Sequence, residues 1–214
     1  MTQDAGEGRS DRRVELAATV LLTIAAVATA WAAYQSARWH GQQAKAQSAS
    51  IAARVESTRT DNVANRQAQI DVALFTQWVD AYARDESKLA DFYRKRFRTE
   101  FRPAFVAWVA TRPRTNRRAP LSPFALPQYK LAATAQADRL EGQAAAFSTD
   151  VGRFIQRADD YSLTVVLFAA ALFFAGISTR LRSPSARMVI LGLGYALYLG
   201  SVIWIATFPV SLSV

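Results

Sequence analysis

LAATVLLTIAAVATAWAA, residues Leu16 to Ala33, contains no Asp, Glu, Lys or Arg. A helix that crosses the hydrocarbon core of a bilayer needs about 20 predominantly apolar residues, and with Tyr34 at its edge this run approaches that length. Two further runs free of the same four residue types follow, Leu163 to Ile177 and Met188 to Phe208, flanked or ended by Tyr161 and Trp204. Trp and Tyr at such edges match the aromatic belts of membrane helices. The three runs predict three spans, and they divide the chain more clearly than any catalytic motif.

The mean hydropathy of the 214-residue chain is close to zero because two kinds of segment cancel. Against the apolar runs stands a polar middle, 35–160, with 20 Lys/Arg and 13 Asp/Glu. A segment of that size builds only a modest core, which points to a core shared with membrane-proximal helices or partner chains. There is no cysteine, so disulfides and thiolate metal sites are excluded while the compartment stays open. Arg outnumbers Lys 22 to 4, a bias typical of GC-rich bacterial genomes.

Orientation follows from Lys and Arg in short flanks, since long domains translocate regardless of charge. Arg9, Arg12 and Arg13 precede the first run, and Arg180, Arg182 and Arg187 lie between the second and third. Both flanks belong on the cytoplasmic side. The expected order is a cytoplasmic tail over 1–13, a first span over 14–35, an extracytoplasmic helical domain over 36–160, a second span over 161–179, a cytoplasmic turn over 180–187, a third span over 188–208 and an extracytoplasmic tail over 209–214. Ala28-Thr29-Ala30 also resembles a signal-peptide cleavage site. The run is longer than the roughly 7–15 residues of a signal h-region, however, and an anchor is the better reading.

No proline occurs before Pro103, and Gly41 is the single weak point between Ala17 and Leu89, so the first span is expected to continue outward as one long helix. Ala44, Ile51, Val55, Val63, Ile70, Leu74, Trp78, Tyr82, Leu89, Phe92 and Phe97 recur at helical spacings and read as one buried stripe. The stretch from Phe75 to Phe105 reads as a small aromatic core. Pro103, Pro113, Pro120, Pro123 and Pro127, with Asn116, mark a loop centred on 112–127. From Tyr129 to Arg157 the pattern is helical again, with Leu131, Ala135, Leu140, Ala144, Phe147, Val151, Phe154 and Ile155 on one side. The fold expected is all-α: three transmembrane helices with a helical hairpin or three-helix domain inserted between spans one and two. The outgoing arm is longer than the returning one and needs an extra turn, either within Ala83–Lys88 or near Asp61-Asn62.

Catalytic chemistry finds little footing. His40, the single histidine, lies just past the first span beside Trp39 and reads as an interfacial residue, with a pH-sensing role as the sharper alternative. There is no phosphate loop, no serine elbow and no metal-spaced cluster. Asp159 and Asp160, adjacent at the mouth of the second span, point in different directions on a helix and read as solvated. No catalytic residue, metal or cofactor is expected. The basic segment carries more: Arg94, Lys95, Arg96, Arg98, Arg102, Arg112, Arg114, Arg117 and Arg118, opposed by Glu100 alone and interleaved with Phe92, Tyr93, Phe97, Phe101, Phe105 and Trp108. Such a strip attracts anions. Placed outside the cell it meets lipid phosphates or envelope polymers rather than nucleic acid; the plainer reading is a solvated face whose Arg stems cover aromatics.

The spans carry packing signals of their own. Ala26 with Ala30, and Ala28 with Ala32, are small residues four apart that let helices approach closely in lipid. Gly192, Gly194 and Gly200 offer the same on the third span. Packing surfaces on so few spans point to a homo-oligomer. A pore is the alternative; it would require Thr19, Thr23, Thr29 and Ser36 to line one face, and no ring of charged residues marks a filter.

Several segments resemble a family of uncharacterised bacterial integral membrane proteins with this layout: Trp31-Ala-Ala-Tyr34-Gln35-Ser-Ala-Arg38-Trp39-His40-Gly41, the stretch Lys88 to Phe105, the turn Pro120-Leu-Ser-Pro123-Phe124 with Pro127-Gln-Tyr129, and the second span from Asp159-Asp160-Tyr161 to Thr179. The resemblance implies the same threading and a helical outer domain in the bacterial cytoplasmic membrane, and it brings no activity. The sequence thus points to a non-enzymatic envelope protein whose partners are the lipid bilayer, copies of itself and anionic headgroups or polymers. An oligomeric channel or transport accessory subunit is the alternative.

Overall fold

The computed structural model describes residues 4–211, with side chains at Arg12 and from Val14 onward. The side chains of Arg9 and Arg13, used above for orientation, and the last residues of the expected tail, 212–214, lie outside the described residues. Among those described the chain is all-helical, with no strand. Five α-helices follow in order: α1 (Asp4–Ala83), α2 (Ser87–Arg96), α3 (Arg102–Ala110), α4 (Ala132–Ser178) and α5 (Pro184–Ile205), with a 3-10 turn at Pro123–Ala125. Three of them, α1, α4 and α5, are long and apolar enough to cross a membrane.

α1 runs 80 residues without a break at Gly41. Its backbone is already helical at Asp4. The extra turn left open by the sequence falls after Ala83, and the helix passes straight through Asp61. Arg84 N–H donates to the Asp80 carbonyl at 3.1 Å and Glu86 N–H to the Ala81 carbonyl at 3.0 Å. Between them Asp85 takes φ 59°, a left-handed conformation that Asp and Asn tolerate better than most residues. Pro103 sits in the first turn of α3, where its missing N–H costs nothing. It therefore starts a helix instead of belonging to the loop. Pro184 does the same for α5.

The chain divides into two compact units, one of Met1–Gln47 with Ser148–Val214 and one of Ser48–Phe147. In the first, the terminal unit, α1 buries Ala18, Leu21, Ala25, Ala32, Ser36 and Trp39, while α4 buries Ala158, Tyr161, Thr164, Phe168, Ala171, Ala175 and Ser178. Steps of three, four and, from Ala25 to Ala32, seven are the pattern of knobs-into-holes packing. α5 closes the bundle at Gly194. A Cβ there would meet the Ala171 carbonyl oxygen and the Leu21 side chain, both at 3.3 Å, so any larger residue would push these neighbours back by a few tenths of an ångström. Tyr195 Oη donates to the Ala17 carbonyl at 2.9 Å and Tyr161 Oη to the Pro209 carbonyl at 3.3 Å. The outer faces are apolar, with Leu16, Val27, Val189 and Ile203 exposed, as lipid contact favours.

Of the small residues singled out for packing, Ala32 is buried and Ala28 half-buried, whereas Ala26, Ala30, Gly192 and Gly200 are exposed. A Cβ at Gly192 or Gly200 would meet nothing within 4 Å. Close approach inside one chain is thus made by Ala18, Ala25, Ala32 and Gly194, and the other four residues remain on outward faces.

In the central unit, α1 and the start of α4 run antiparallel. Ser50 Oγ donates to the Ala144 carbonyl at 3.0 Å and Ser57 Oγ to the Ala137 carbonyl at 3.0 Å. Seven residues forward on α1 is seven back on α4. The buried face of α1 is Ser50, Ser57, Ala64, Asp71 and Trp78, a strict heptad, together with Phe75 and Ala81. The expected stripe is therefore corrected. Trp78 and Phe97 are buried and Leu74 is half-buried, but Ala44, Ile51, Val55, Val63, Ile70, Tyr82, Leu89 and Phe92 are exposed. Small side chains win the inner face because a serine hydroxyl can reach across to a carbonyl only when the two backbones are close. Leu131, just before α4, and Ala144 on it are buried, while Ala135, Phe147 and Ile155 are exposed.

Beyond the serines the gap between elements fills with rings. Phe75, Trp78, Phe97, Phe101, Phe105 and Trp108 form one cluster, joined by the half-buried Phe124 and Tyr129. Phe97 meets Phe105 at 4.8 Å between centroids and Trp78 meets Phe105 at 4.8 Å, both edge to face. Such pairs add roughly 0.5–1.5 kcal/mol each beyond the area they bury.

Candidate functional site

The ends of α1 and α3 present aromatic rings beneath the proline-rich loop. Trp78 and Tyr82, one turn apart, stack at 4.9 Å with 11° between planes, and Trp108 stands edge-on to Trp78 at 6.4 Å. The loop is tied down over them by its own backbone. Trp108 Nε1–H donates to the Pro120 carbonyl at 2.8 Å. Asn116 Nδ2–H donates to the Thr111 carbonyl at 3.1 Å, and Asn116 Oδ1 accepts from the Arg118 N–H at 3.0 Å. Arg112 turns the chain at φ 52°, a conformation that costs a residue with a Cβ roughly 1–2 kcal/mol. What results is an open cavity of about 800 Å³ with Trp78, Tyr82, Trp108 and Val109 on its apolar side and Arg112, Arg114 and Arg117 among its polar lining. The Arg114 guanidinium lies 5.2 Å from the centre of the Tyr82 ring.

The nine basic residues of the sequence strip separate into two groups. Arg94 and Lys95 are both ion-paired to Asp91, whose carboxyl the hydrogen bonds from Lys95 and Arg94 hold below the usual range. Arg96 lies 3.4 Å over the Phe92 ring and donates to the Phe92 carbonyl at 3.1 Å. Arg102 satisfies the last carbonyls of α2, donating to Phe97 at 3.0 Å and Lys95 at 3.1 Å. Arg98 reaches the interior. By contrast Arg112, Arg114, Arg117 and Arg118 are exposed and form no ion pair among the described residues. No Asp or Glu occurs from Phe101 to Ala137. Arg118 does not line the cavity; its other three partners in the loop do.

The Arg98 site is the electrostatic centre of the unit. Arg98 Nη1–H donates to Asp71 Oδ2 at 3.0 Å, and its other nitrogen pairs with Glu100. Tyr129 Oη donates to the same Asp71 oxygen at 3.2 Å, and Glu100 Oε1 accepts from the Ala132 N–H at 3.0 Å, at the first turn of α4. The Asp71 side chain is fully buried and its Oδ1 has no hydrogen-bond partner among the described residues. Burial raises the Asp71 pKa, and the Arg98 charge with the Tyr129 and Arg98 hydrogen bonds opposes that shift without cancelling it. Burial, followed by the charge of Asp71, pushes Tyr129 up to about 12. The sequence carries one sign of this network: an acid occupies the heptad position of Ser50, Ser57 and Ala64. For the cavity floor the sign was Trp78 and Tyr82 four apart at the end of a helix.

His40 is exposed and 3.2 Å from Gln43 Oε1. Thr19 and Thr23 are exposed and donate to carbonyls of their own helix, at 2.9 and 3.0 Å, while Ser36 is buried, donating to the Ala158 carbonyl at 3.1 Å. Thr19, Thr23, Thr29 and Ser36 thus do not share one face, which the pore reading requires of them. Among the described residues the cavity lining contains no His, Asp or Glu. Guanidinium forks beside rings bind anions that carry an apolar part, and the cavity's size lies within the usual few hundred to about 1,000 Å³ of ligand sites. No protein family, curated protein or solved structure matches this chain.

Arg98→Met leaves Asp71 buried without its cation and is expected to destabilise the unit by about 3–5 kcal/mol. Chemical unfolding monitored by tryptophan fluorescence reads this, and adding Asp71→Asn is expected to recover part of the loss. Tyr129 has a raised folded-state pKa, so the stability it contributes is complete below its unfolded value of 10.0 and is lost as pH rises through about 12. Tyr129→Phe is therefore expected to flatten the fall of the unfolding midpoint between those two values; an unchanged slope would contradict the assignment.

Proposed function

We propose that this chain is a non-enzymatic, three-span protein of the bacterial cytoplasmic membrane that presents its central unit outside the cell to capture anionic envelope components. The observation that carries the reading is the gathering of Arg112, Arg114 and Arg117 around an aromatic cavity, while the basic residues of α2 and its cap are spent on internal contacts. A phosphate or carboxylate would lie between the guanidinium groups, and the apolar part of its carrier against Trp78, Tyr82 and Trp108. The lining residues offer binding and orientation but no nucleophile activated by a base. Orientation rests on Arg12 with Arg9 and Arg13 at one flank and on Arg180, Arg182 and Arg187 at the other. Self-association belongs to the same reading, since Ala26, Ala30, Gly192 and Gly200 face outward on the spans.

The test uses the full chain held in phosphatidylcholine nanodiscs and floated with vesicles containing phosphatidylglycerol. Arg112→Gln/Arg114→Gln/Arg117→Gln is expected to abolish flotation, and Arg94→Gln/Lys95→Gln/Arg96→Gln to leave it intact. Equal loss in both would reduce the site to general surface charge. Competition by a soluble glycerol-phosphate polymer separates polymer from headgroup as the ligand. Threading is checked separately: a phosphatase reporter inserted between Arg114 and Arg117 is expected to be active outside the cytoplasm, and cytoplasmic signal there would overturn the orientation.

A further inference from the structure

The outward face of α1 in the central unit has a heptad pattern of its own. Ser48, Ile51, Val55, Thr58, Asn62, Asn65, Gln69, Val72, Thr76 and Val79 alternate steps of three and four, all are exposed, and none is charged. In heptad letters Ser48, Val55, Asn62, Gln69 and Thr76 occupy a, and Ile51, Thr58, Asn65, Val72 and Val79 occupy d. The buried residues Ser50, Ser57, Ala64, Asp71 and Trp78 then fall at c, on the far side of the helix. A straight helix drifts about 20° per heptad from a strict seven-residue repeat. Because the inner contacts keep that repeat, the outer positions keep it too and form one straight seam. A shallow concavity lined by Asn62, Asn65, Ala68, Gln69, Val72 and Ala73 lies on it.

No charge lies on the seam itself, and most of it borders the seam. Of the seven charged residues between Ser48 and Ala83, five lie at e or g: Arg54 and Asp61 at g, Arg59, Arg66 and Asp80 at e. We propose that this face is a parallel, in-register coiled-coil interface with a second copy of the same chain. The parallel direction rests on the three-span reading above, since two α1 helices that start in one membrane with one orientation rise side by side. In that arrangement each a-position amide, Asn62 and Gln69, faces its own counterpart, and an amide carries both donor and acceptor for such a pair. A polar a position fixes register at some cost in stability. At the flanks a g residue meets the e residue five positions later on the other helix. Asp61 therefore meets Arg66 of the second copy, an attractive pair beside the central asparagines. Asn65 Nδ2–H donates to Asp61 Oδ2 at 3.0 Å and holds that carboxylate along the seam. Arg54 meets Arg59 of the second copy, and Glu56, 3.6 Å from Arg59 in its own helix, offsets that repulsion.

The absence of cysteine from the chain makes the test direct, because any disulfide comes from the residue introduced. Single variants Ile51→Cys, Val55→Cys, Asn62→Cys, Asn65→Cys, Gln69→Cys and Val79→Cys, oxidised in intact membranes, are expected to give a disulfide-linked dimer along the whole series. Glu56→Cys and Gln77→Cys, exposed at b, are expected to give none. Links confined to positions around a single crossing point would mean that the face pairs antiparallel, which overturns the proposal together with the shared membrane orientation. Links absent throughout, or as strong at the two controls as on the seam, overturn the interface and leave the three-span reading standing.

Discussion

Ser50 and Ser57 give their hydroxyl protons to backbone carbonyls of α4, at Ala144 and Ala137, and in the terminal unit Ser36 does the same to Ala158. A serine inside a helix ordinarily bonds back onto its own preceding turn, as the exposed Thr19, Thr23, Thr58, Thr60 and Thr76 do here. Reaching across is possible only if the helix axes lie close, and that demands alanine or serine on both inner faces. Each crossing bond contributes about 0.5–1.5 kcal/mol net. Its larger effect is to set register, because a shift of one residue would leave the hydroxyl buried without an acceptor.

Once small residues hold the inner face, the rest of the central unit follows. The aliphatic residues of α1 have no inner position left and stand on other faces, Ile51 and Val55 at half-exposure. The repeat that continues from Ser57 through Ala64 then brings Asp71 into the interior. A fully buried carboxylate is costly unless paired, and Arg98 with Tyr129 supplies the partners. Through Glu100 the same group caps α4 at Ala132, so α1, the segment after α2 and the start of α4 are tied at one point. The aromatic cluster packs next to that knot, and its edge at Trp78 and Trp108 becomes the floor of the cavity.

The three long apolar helices, the uninterrupted course of the first, the aromatic core and the loop were legible because each depends on composition over many residues: apolar length, absence of proline, ring density, prolines in series. The inner stripe was misread for a physical reason. Hydrophobic periodicity assumes that large apolar residues go inside, and Ile51, Val55, Val63 and Ile70 satisfied the spacing; close packing through serine and alanine selects against size, so the pattern pointed to the wrong face. Arg98 looked like one more surface arginine because its partner is 27 positions away in the sequence. The extra turn after Ala83 was one of two open choices, and it was decided by whether Asp85 or Asn62 leaves the helix, which no local propensity separates.

The division of the basic strip gives the functional reading its shape. Arginines that cap α2, stack on Phe92 or neutralise Asp71 hold the unit together, and those of the loop, with no acid between Phe101 and Ala137, form no ion pair among the described residues. All of this presupposes the register of α1 against α4. The most direct measurement is cross-linked peptide mass spectrometry on double-cysteine variants of the full chain, treated with a short thiol-specific linker. The account predicts that Ser50→Cys with Ala144→Cys, and Ser57→Cys with Ala137→Cys, join within one chain, while the mismatched pairs Ser50→Cys with Ala137→Cys and Ser57→Cys with Ala144→Cys do not. Joining of the mismatched pairs in place of the matched ones would contradict it.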